Sequence, residues 1–565
     1  MNAMNRPLIV QADGTVLLEI AHPLFEACQA ELAKFAELVK SLDAFHTYQI
    51  SKLTLWNAAS NGIDGQYVVK WLKGSSKFGV PESLAQDILQ YIGNYGKVQL
   101  TREKEGLVLT FSDETCAEQL MRETIVSQCM LGKKSELSLW IDPVHRGTIK
   151  RELALLGWPI TDMAGYDKGE ELQLELKART PDGEPFALRT YQQEAVDRFF
   201  EDSVHGGSGV LVLPCGAGKT MIGIASIIRC GSAALILTTN ITSVRQWKRE
   251  LISKTSLPED WIGEYTGERK EVKPITIATY QILTHRAAKT DPFHHMKLFH
   301  ERDWGMIVYD EVHLLPAPVF RVTADLQAKR RLGLTATLIR EDGRESDVFS
   351  LVGPKRYEAS WKHLEQQGWL ADVRCFELNV PLQKELQTEY LQSPVRQRAQ
   401  IAATNPLKNG LVQQIVERHE GEGILIIGQY LDQLHAVANQ LRVPLITGAV
   451  PQQERDMLYD SFRQGRLNVL VVSKVANFAV DLPDASVAIQ ISGSFGSRQE
   501  EAQRLGRILR PKKHRNRAYF YSIVTENSKE QDYARHRQLF LMEQGYRYRR
   551  MNSLEWKELK VIDEN

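Results

Sequence analysis

The stretch Leu211–Thr220, LVLPCGAGKT, has the residue types of a phosphate-binding loop, although leucine stands where the G-x-x-x-x-G-K-S/T pattern has its first glycine. Gly216 and Gly218 let backbone N–H groups approach phosphate oxygens without a Cβ clash. Lys219 can reach the terminal phosphates, and the hydroxyl of Thr220 can bind Mg²⁺. An apolar run precedes the stretch and a helical pattern over 220–229 follows it, which is the context of a phosphate site. We therefore predict a nucleotide site here.

A pair of adjacent carboxylates follows another apolar run, in Met306–His313, MIVYDEVH. Asp310 lies 91 positions after Lys219 and can bind Mg²⁺ opposite the loop threonine. Glu311 can then polarise the attacking water. Two acids after one strand are common by themselves, but with a phosphate loop before them in the same α/β unit they indicate hydrolysis.

Two further motifs can complete this chemistry. The stretch LTAT, 334–337, places hydroxyls after a strand, where they can bridge the carboxylates to the rest of the cleft. The stretch Gln503–Arg510, QRLGRILR, places Arg507 and Arg510 on one helical face. These arginines follow the second α/β series, so they complete the site only when two domains close.

The elements that must position these residues are short apolar strands alternating with helices. The first series contains GVLVLP, AALILTT, ITIATY, GMIVYDE and RLGLTAT, and a second begins near residue 410 with GILIIG, VPLITG, LNVLVVS, VAIQIS and AYFYSIV. Continuous apolar strands indicate sheets buried on both faces, and the alternation indicates βαβ units. The fold class we predict is α/β, with two tandem parallel-sheet domains and an α+β N-terminal accessory region.

The length of 565 residues suggests roughly three to four domains. Before the first series, PLIVQ and TVLLEI are strand-like, HPLFEACQAELAKFAELV is helical, and KVQLTREKEGLVLTFS is typical of a hairpin. This region carries no catalytic constellation, which favours an accessory role. The divisions we predict are an accessory domain at 1–135, a small domain at 136–178, parallel-sheet domains at 179–355 and 356–550, and a tail at 551–565.

Composition excludes several classes of protein. Lys plus Arg equals Asp plus Glu at 70 each, yet residues 498–550 hold 14 basic against 6 acidic side chains, which is compatible both with a phosphate-binding surface and with an ordinary solvated face. The six cysteines form no C-x-x-C pair, so zinc ribbons and disulfide frameworks are not expected. No apolar run approaches the roughly 20 residues of a membrane span, and no signal-peptide core is present. We expect a cytoplasmic protein without a membrane partner.

Taken in this order, the motifs resemble those of superfamily 2 helicases, whose loop carries proline or alanine in place of the first glycine. PCGAGKT, DEVH, LTATLIRED and QEEAQRLGRILR are similar to the XPB family of DNA helicases, and in particular to its bacterial members. The resemblance covers about 136–550, and residues 1–135 look like the extension of bacterial XPB-type proteins. It implies that the two parallel-sheet domains are RecA-like motor domains and that 136–178 is a damage-recognition-like domain. It also implies use of ATP with Mg²⁺, 3′ to 5′ movement on DNA and a role in nucleotide excision repair.

The resemblance also implies roles for individual residues. RTYQ, 189–192, matches the adenine-recognising motif with Gln192 as the base contact, and Asp481 matches a ribose-side motif. Arg340, Glu341 and Asp342 match a triplet implicated in duplex opening, His313 would couple the ATP site to the arginine helix, and 378–405 matches a helical thumb. The nucleotide contacts expected are Arg189, Gln192, Pro214, Cys215, Gly216, Ala217, Gly218, Lys219, Thr220, Asp481, Gln503 and Arg504.

Other side chains suggest functions less strongly. His285, His294, His295 and His300 cluster in sequence but fit no metal-ligand spacing, so we expect surface loop residues. Trp247 is expected to cap a helix against the core. The run 546–550, YRYRR, is compatible both with stacking on nucleic acid and with a packed C-terminal strand.

The function predicted is an ATP-dependent DNA helicase or translocase, monomeric, acting on duplex, forked or single-stranded DNA, with a nuclease or another repair protein as a further partner. Two alternatives share these motifs. An RNA helicase uses the same motor. A remodelling or docking protein would use ATP only as a switch, an alternative that Glu311, Arg507 and Arg510 argue against.

Overall fold

The computed structural model describes residues 6–558 apart from 42–43, 181–182, 202–206, 289, 317, 320–321, 323–325, 327–328, 339–344, 474–484, 494–504, 507 and 509–515. The chain divides into two compact units, Met1–Leu213 with Gly218–Glu358, and Pro214–Ala217 with Ala359–Asn565. None of the helices among the described residues is long and apolar enough to cross a membrane.

The first unit begins with a four-stranded antiparallel sheet of order β1-β2-β4-β3 and four helices. Helix α2 starts where the Ser51 hydroxyl accepts the Thr54 N–H, a capping interaction that satisfies a backbone donor at the helix end. The elements are β1 Leu8–Val10, β2 Thr15–Glu19, α1 Phe25–Leu32, β3 Glu37–Ser41, β4 Phe45–Gln49, α2 Lys52–Ser60, α3 Gly65–Ser75 and α4 Glu82–Asn94.

The helix predicted over 22–39 is shorter in the structure, where α1 covers Phe25–Leu32. It ends at Leu32, and the chain enters β3, which pairs with β4. Strand pairing outweighs the helical periodicity of this stretch because the same apolar side chains, among them Leu38, are buried on the sheet.

A five-stranded sheet of order β7-β8-β6-β5-β9 follows. Its last strand runs parallel to β5, whereas the other pairs are antiparallel. The domain boundary predicted after residue 135 falls between β7 and β8, and these two strands pair within this one sheet. The elements are β5 Val98–Glu103, β6 Gly106–Phe111, α5 Glu114–Met121, α6 Thr124–Cys129, β7 Met130–Ser135, β8 Ser138–Ile141, α7 Arg146–Leu155 and β9 Ile160–Asp162, with a 3-10 turn at Pro143–His145.

The rest of the first unit is a seven-stranded parallel sheet of order β12-β13-β11-β14-β15-β10-β16. All five strands predicted in the first series are present, and β12 and β16 are additional. The elements are α8 Thr190–Phe200, β10 Ser208–Val212, α9 Lys219–Cys230, β11 Ala234–Thr238, α10 Ile241–Lys254, β12 Ile262–Tyr265, β13 Ile275–Thr279, α11 Tyr280–Leu283, β14 Met306–Asp310, β15 Arg330–Thr335, α12 Glu345–Leu351 and β16 Lys355–Glu358, with 3-10 turns at Glu259–Trp261, His294–His300 and Val312–Leu314.

The second unit holds another seven-stranded parallel sheet, of order β19-β20-β18-β21-β22-β17-β23. Its elements are α13 Trp361–Gln366, β17 Asp372–Val380, α14 Lys384–Gln392, α15 Val395–Ala403, α16 Leu407–Arg418, β18 Ile424–Gly428, α17 Leu431–Leu441, β19 Leu445–Ile446, α18 Gln452–Arg463, β20 Val469–Ser473, β21 Val487–Gln490, β22 Arg517–Thr525, α19 Lys529–Glu543, β23 Tyr548–Asn552 and α20 Ser553–Glu558.

The predicted fold class is confirmed by these two parallel sheets and by the mixed sheets and helices of the N-terminal region. Helices α14 and α15 lie in the stretch predicted as a helical thumb. Residues 548–550 of the run 546–550 lie in β23, where Arg549 and Arg550 are exposed. Tyr546 is buried with its ring against that of Trp361, at a centroid separation of 6.2 Å, and β23 pairs with β17.

Candidate nucleotide and metal site

The predicted phosphate loop connects the carboxyl end of β10 to the amino end of α9. Gly216 and Gly218 have φ of 83° and 79°, in the left-handed region that favours glycine, and Gly218 is the residue that precedes the helix. Four backbone N–H groups at a helix amino end have no partner within the helix, and the end carries partial positive charge. The loop therefore fits a phosphate group, with Lys219 as the first residue of α9.

Gln192 lies against this loop. A Cβ added at Gly218 would be 2.5 Å from Gln192 Nε2, so the amide occupies the space that a side chain at 218 would need. The Gln192 Oε1 accepts the backbone N–H of Arg189 at 3.0 Å, which fixes the side chain at the start of α8. The structure thus brings the predicted adenine-recognising residue next to the predicted phosphate loop.

Lys219 and Glu311 form an ion pair across the carboxyl edge of the sheet. Lys219 Nζ is 2.8 Å from Glu311 Oε1, and the two side chains are only 11% and 19% exposed. Burial by itself raises the pKa of Glu311, but the charge and hydrogen bond of Lys219, together with His313 and the Ala336 N–H, outweigh burial and lower that pKa below its ordinary value. The carboxylate is therefore ionised and acceptor-only at neutral pH.

Glu311 also adopts an unusual backbone conformation. Its φ of 52° lies in the left-handed region, which costs a non-glycine residue about 1–2 kcal/mol. Strain of this kind persists where the surrounding structure holds the residue, and it is typical of functional sites. Here it directs the carboxylate from the end of β14 toward Lys219.

Asp310, the last residue of β14, is held by three donors from neighbouring elements. Its Oδ2 accepts the Trp247 indole N–H at 2.9 Å and the Thr238 hydroxyl at 3.4 Å, and its carbonyl oxygen accepts the Tyr280 hydroxyl at 2.9 Å. Burial, together with the adjacent charge of Glu311, raises the pKa of Asp310 to about 6. A divalent cation would favour the ionised carboxylate, as metal ions do for their ligands.

His313 connects the carboxylate motif to the next motif. Its Nδ1 is 2.7 Å from the Thr335 hydroxyl, and that hydroxyl donates its single hydrogen to the Thr337 carbonyl at 2.6 Å. The Thr335 oxygen must therefore accept from His313, which places a hydrogen on Nδ1. The same ring nitrogen is 3.5 Å from Glu311 Oε2. This chain of contacts joins DEVH to LTAT through His313.

Several predicted site residues lie outside the described residues, and their roles stay predictions. They are Arg340, Glu341, Asp342, Asp481, Gln503, Arg504, Arg507 and Arg510. Of the four clustered histidines, His295 accepts or donates a hydrogen bond with the Tyr265 hydroxyl at 3.0 Å, and the other three are exposed.

Three residues that hold Asp310 were missed from the sequence. Trp247 lies in the middle of α10 and does not cap that helix, contrary to the expectation, although it is buried as expected. Thr238 ends β11 and Tyr280 follows β13. A signal was available for Thr238 and Tyr280, because the carboxyl ends of neighbouring parallel strands meet at the same sheet edge.

Three family models match the chain. The model described as "ERCC3/RAD25/XPB C-terminal helicase" matches residues 364–562, "Type III restriction enzyme, res subunit" matches 185–340, and "Helicase conserved C-terminal domain" matches 8–135. A relative from Kineococcus radiotolerans, named DNA 3'-5' helicase XPB, is 50% identical over 544 residues, which cover 96% of each chain. The chain belongs to the XPB helicase family.

More distant XPB proteins are also similar. A relative from Encephalitozoon cuniculi is named General transcription and DNA repair factor IIH helicase/translocase subunit XPB. It is 33% identical over 562 residues, covering 96% of this chain and 82% of the relative. Among solved structures, S. cerevisiae Dbp5 bound to RNA and ADP BeF3 has a TM-score of 0.47 at 14% identity, covering 67% of this chain and 92% of that chain.

Proposed function

We propose that the protein is an ATP-dependent 3′ to 5′ DNA helicase or translocase that acts in nucleotide excision repair. The observation that carries the proposal is the juxtaposition of Lys219 and Glu311 at 2.8 Å, with Asp310 directly before Glu311. A cation for phosphates, a carboxylate for water and a carboxylate for metal meet at the carboxyl edge of one sheet, where nucleotides bind in open α/β folds.

The nucleotide-binding residues have distinct proposed roles. The loop Pro214–Thr220 would hold the phosphates of ATP, and Gln192 would contact the base. Thr220 and Asp310 would hold Mg²⁺, which favours oxygen ligands. When bound, the metal neutralises charge on the transferred phosphoryl group.

Glu311 is the proposed general base. Its carboxylate is engaged by Lys219 in the structure, so Lys219 has to exchange this partner for a phosphate when nucleotide binds. That exchange releases the carboxylate, which then accepts a proton from the attacking water. Until a phosphate takes Lys219 away, Glu311 stays paired and does not act as a base. Arg507 and Arg510 are proposed to stabilise the charge of the transition state from the second parallel-sheet domain.

The proposed substrate is DNA, gripped through its phosphates with little sequence preference. The names of the relatives support 3′ to 5′ movement and a role in repair. We further propose a cytoplasmic monomer that works with a nuclease or another repair protein. Arg340, Glu341 and Asp342 are proposed to act at the strand fork.

The experiment that tests the proposal compares ATP turnover with single-stranded DNA, duplex DNA, forked DNA and RNA. We expect stimulation by DNA and displacement of the strand on a fork with a 3′ loading tail. Stimulation by RNA alone would instead support an RNA helicase. Nucleotide binding without turnover on any nucleic acid would support a switched docking protein.

A further inference from the structure

Trp247 touches the candidate metal carboxylate from a helix that carries none of the predicted site residues. Its indole N–H donates to Asp310 Oδ2 at 2.9 Å, although the two residues are 63 positions apart. The hydroxyl of Thr238 donates to the same oxygen at 3.4 Å. Among the described residues, these two side-chain donors share Oδ2, and the backbone N–H of Glu311 also hydrogen-bonds the carboxylate.

The Trp247 ring is fixed by packing. Its side chain is 1% exposed, and it lies against α9, the helix that begins at the phosphate loop. A Cβ added at Gly223 of α9 would be 2.5 Å from Trp247 Cη2, so the ring occupies the space that a side chain at 223 would need. The helix α10 that carries Trp247 is itself anchored at its start, where the Asn240 side chain accepts the Ser243 N–H at 2.9 Å.

The ring therefore connects the two halves of the candidate site, since it packs on the phosphate-loop helix and binds the carboxylate at the end of β14. We propose that Trp247 is a positioning residue that fixes the carboxylate of Asp310 through Oδ2, in the orientation from which it would hold a divalent cation. The inference rests on the proposed ATP and Mg²⁺ site. Mg²⁺ demands near-ideal octahedral geometry, so the orientation of a ligand that binds through one oxygen matters to affinity.

The test replaces Trp247 by Phe, which keeps an aromatic ring and removes the N–H donor. Loss of a residue that orients a metal ligand typically lowers metal affinity by about 10–100-fold. We expect Mn²⁺ to bind the ADP complex of Trp247→Phe with about 10-fold lower affinity or worse, as measured by electron paramagnetic resonance of free Mn²⁺. At saturating Mg²⁺ the turnover number should recover most of the wild-type value, because no reacting group has been removed.

Trp304→Phe is the matched control. Trp304 is also fully buried in the first unit, and its indole N–H donates to the Leu298 carbonyl at 3.0 Å, a bond of the same kind with no metal ligand as its acceptor. We expect this variant to bind Mn²⁺ as the wild type does. Equal loss of affinity in both variants, or no loss in Trp247→Phe, would overturn the inference.

A second variant protects the test against a folding failure of Trp247→Phe. Thr238→Val removes the other donor to Oδ2 at nearly constant side-chain volume, and we expect about a 2-fold loss of Mn²⁺ affinity from this longer bond. Full wild-type affinity in Thr238→Val, with Trp247→Phe unfolded, would overturn the inference. Wild-type protein is measured in the same assay. Failure of the wild type to bind Mn²⁺ with ADP would refute the proposed ATP and Mg²⁺ site itself, whereas normal binding by the wild type leaves the role of Trp247 to be decided by the variants.

Discussion

The ion pair between Lys219 and Glu311 predicts an uncommon outcome for Glu311→Gln, namely tighter binding of ATP together with loss of turnover. The pair must be broken before Lys219 can engage a phosphate. A charge-assisted hydrogen bond contributes about 1.5–3 kcal/mol and a neutral one about 0.5–1.5 kcal/mol. Replacing the carboxylate by an amide therefore lowers the free-energy cost of releasing Lys219 by about 1–1.5 kcal/mol, which corresponds to about 5- to 12-fold tighter binding of ATP.

The same substitution removes the proposed general base, so turnover should fall by about 10²–10⁴-fold. The assays are binding of a fluorescent ATP analogue and steady-state phosphate release with DNA. Glu264→Gln is the matched control, since Glu264 is another buried glutamate of the same sheet, with its Oε1 3.1 Å from Lys248 Nζ. Weaker binding of nucleotide by Glu311→Gln, or turnover close to that of Glu264→Gln, would refute the assignment of the base.

Two further predictions concern stability and strand separation. Asp162 is buried with Arg146 at 2.8 Å and Lys150 at 2.9 Å, and although burial raises its pKa, these cations lower it below the ordinary value of 3.8. Asp162→Asn should therefore lower the free energy of unfolding by about 3–5 kcal/mol at pH 7. In urea titrations this difference from wild type should shrink as pH falls below 3.8. The control is Asp167→Asn, which removes a half-exposed partner of Arg102 and should cost less than about 1 kcal/mol; equal effects would contradict the buried pairing. Changing Arg340, Glu341 and Asp342 together to Ala should leave DNA-stimulated ATPase within a few fold but reduce strand displacement on a fork, whereas parallel loss of both activities would instead place the triplet in interdomain coupling.

Much of the α/β architecture was predictable because its strands are buried on both faces. Runs such as 209–214 and 423–428 are continuously apolar, and each forms a strand of a parallel sheet. The strands that were missed do not have this pattern. In β16 all four residues are at least partly exposed, and β17 contains the fully buried Glu377, whose charge interrupts the apolar run. Gln538, which is 161 positions away in the sequence, donates a hydrogen bond from its Nε2 to the buried Glu377 carboxylate at 2.8 Å.

The candidate site was predictable in its motif residues and not in the contacts that hold them. Lys219 and Glu311 follow from the loop and strand-end patterns, because parallel strands present their carboxyl ends at one edge. The bond from Trp247 to Asp310 depends on which face of α10 meets the sheet and on the absence of a side chain at Gly223. No local pattern specifies that packing. The same holds for the His313 to Thr335 bond, which requires two adjacent strands in register.

The central claim is that this site hydrolyses ATP under the control of DNA. The measurement that tests it most directly is ATP turnover by wild type and Lys219→Ala at increasing concentrations of duplex or forked DNA, with circular dichroism to confirm the fold. We predict a wild-type rate that rises with DNA to a plateau, and no turnover by Lys219→Ala at any DNA concentration, because the cation that reaches the terminal phosphates is gone. Near-normal hydrolysis by folded Lys219→Ala, or a wild-type rate indifferent to DNA, would contradict the claim.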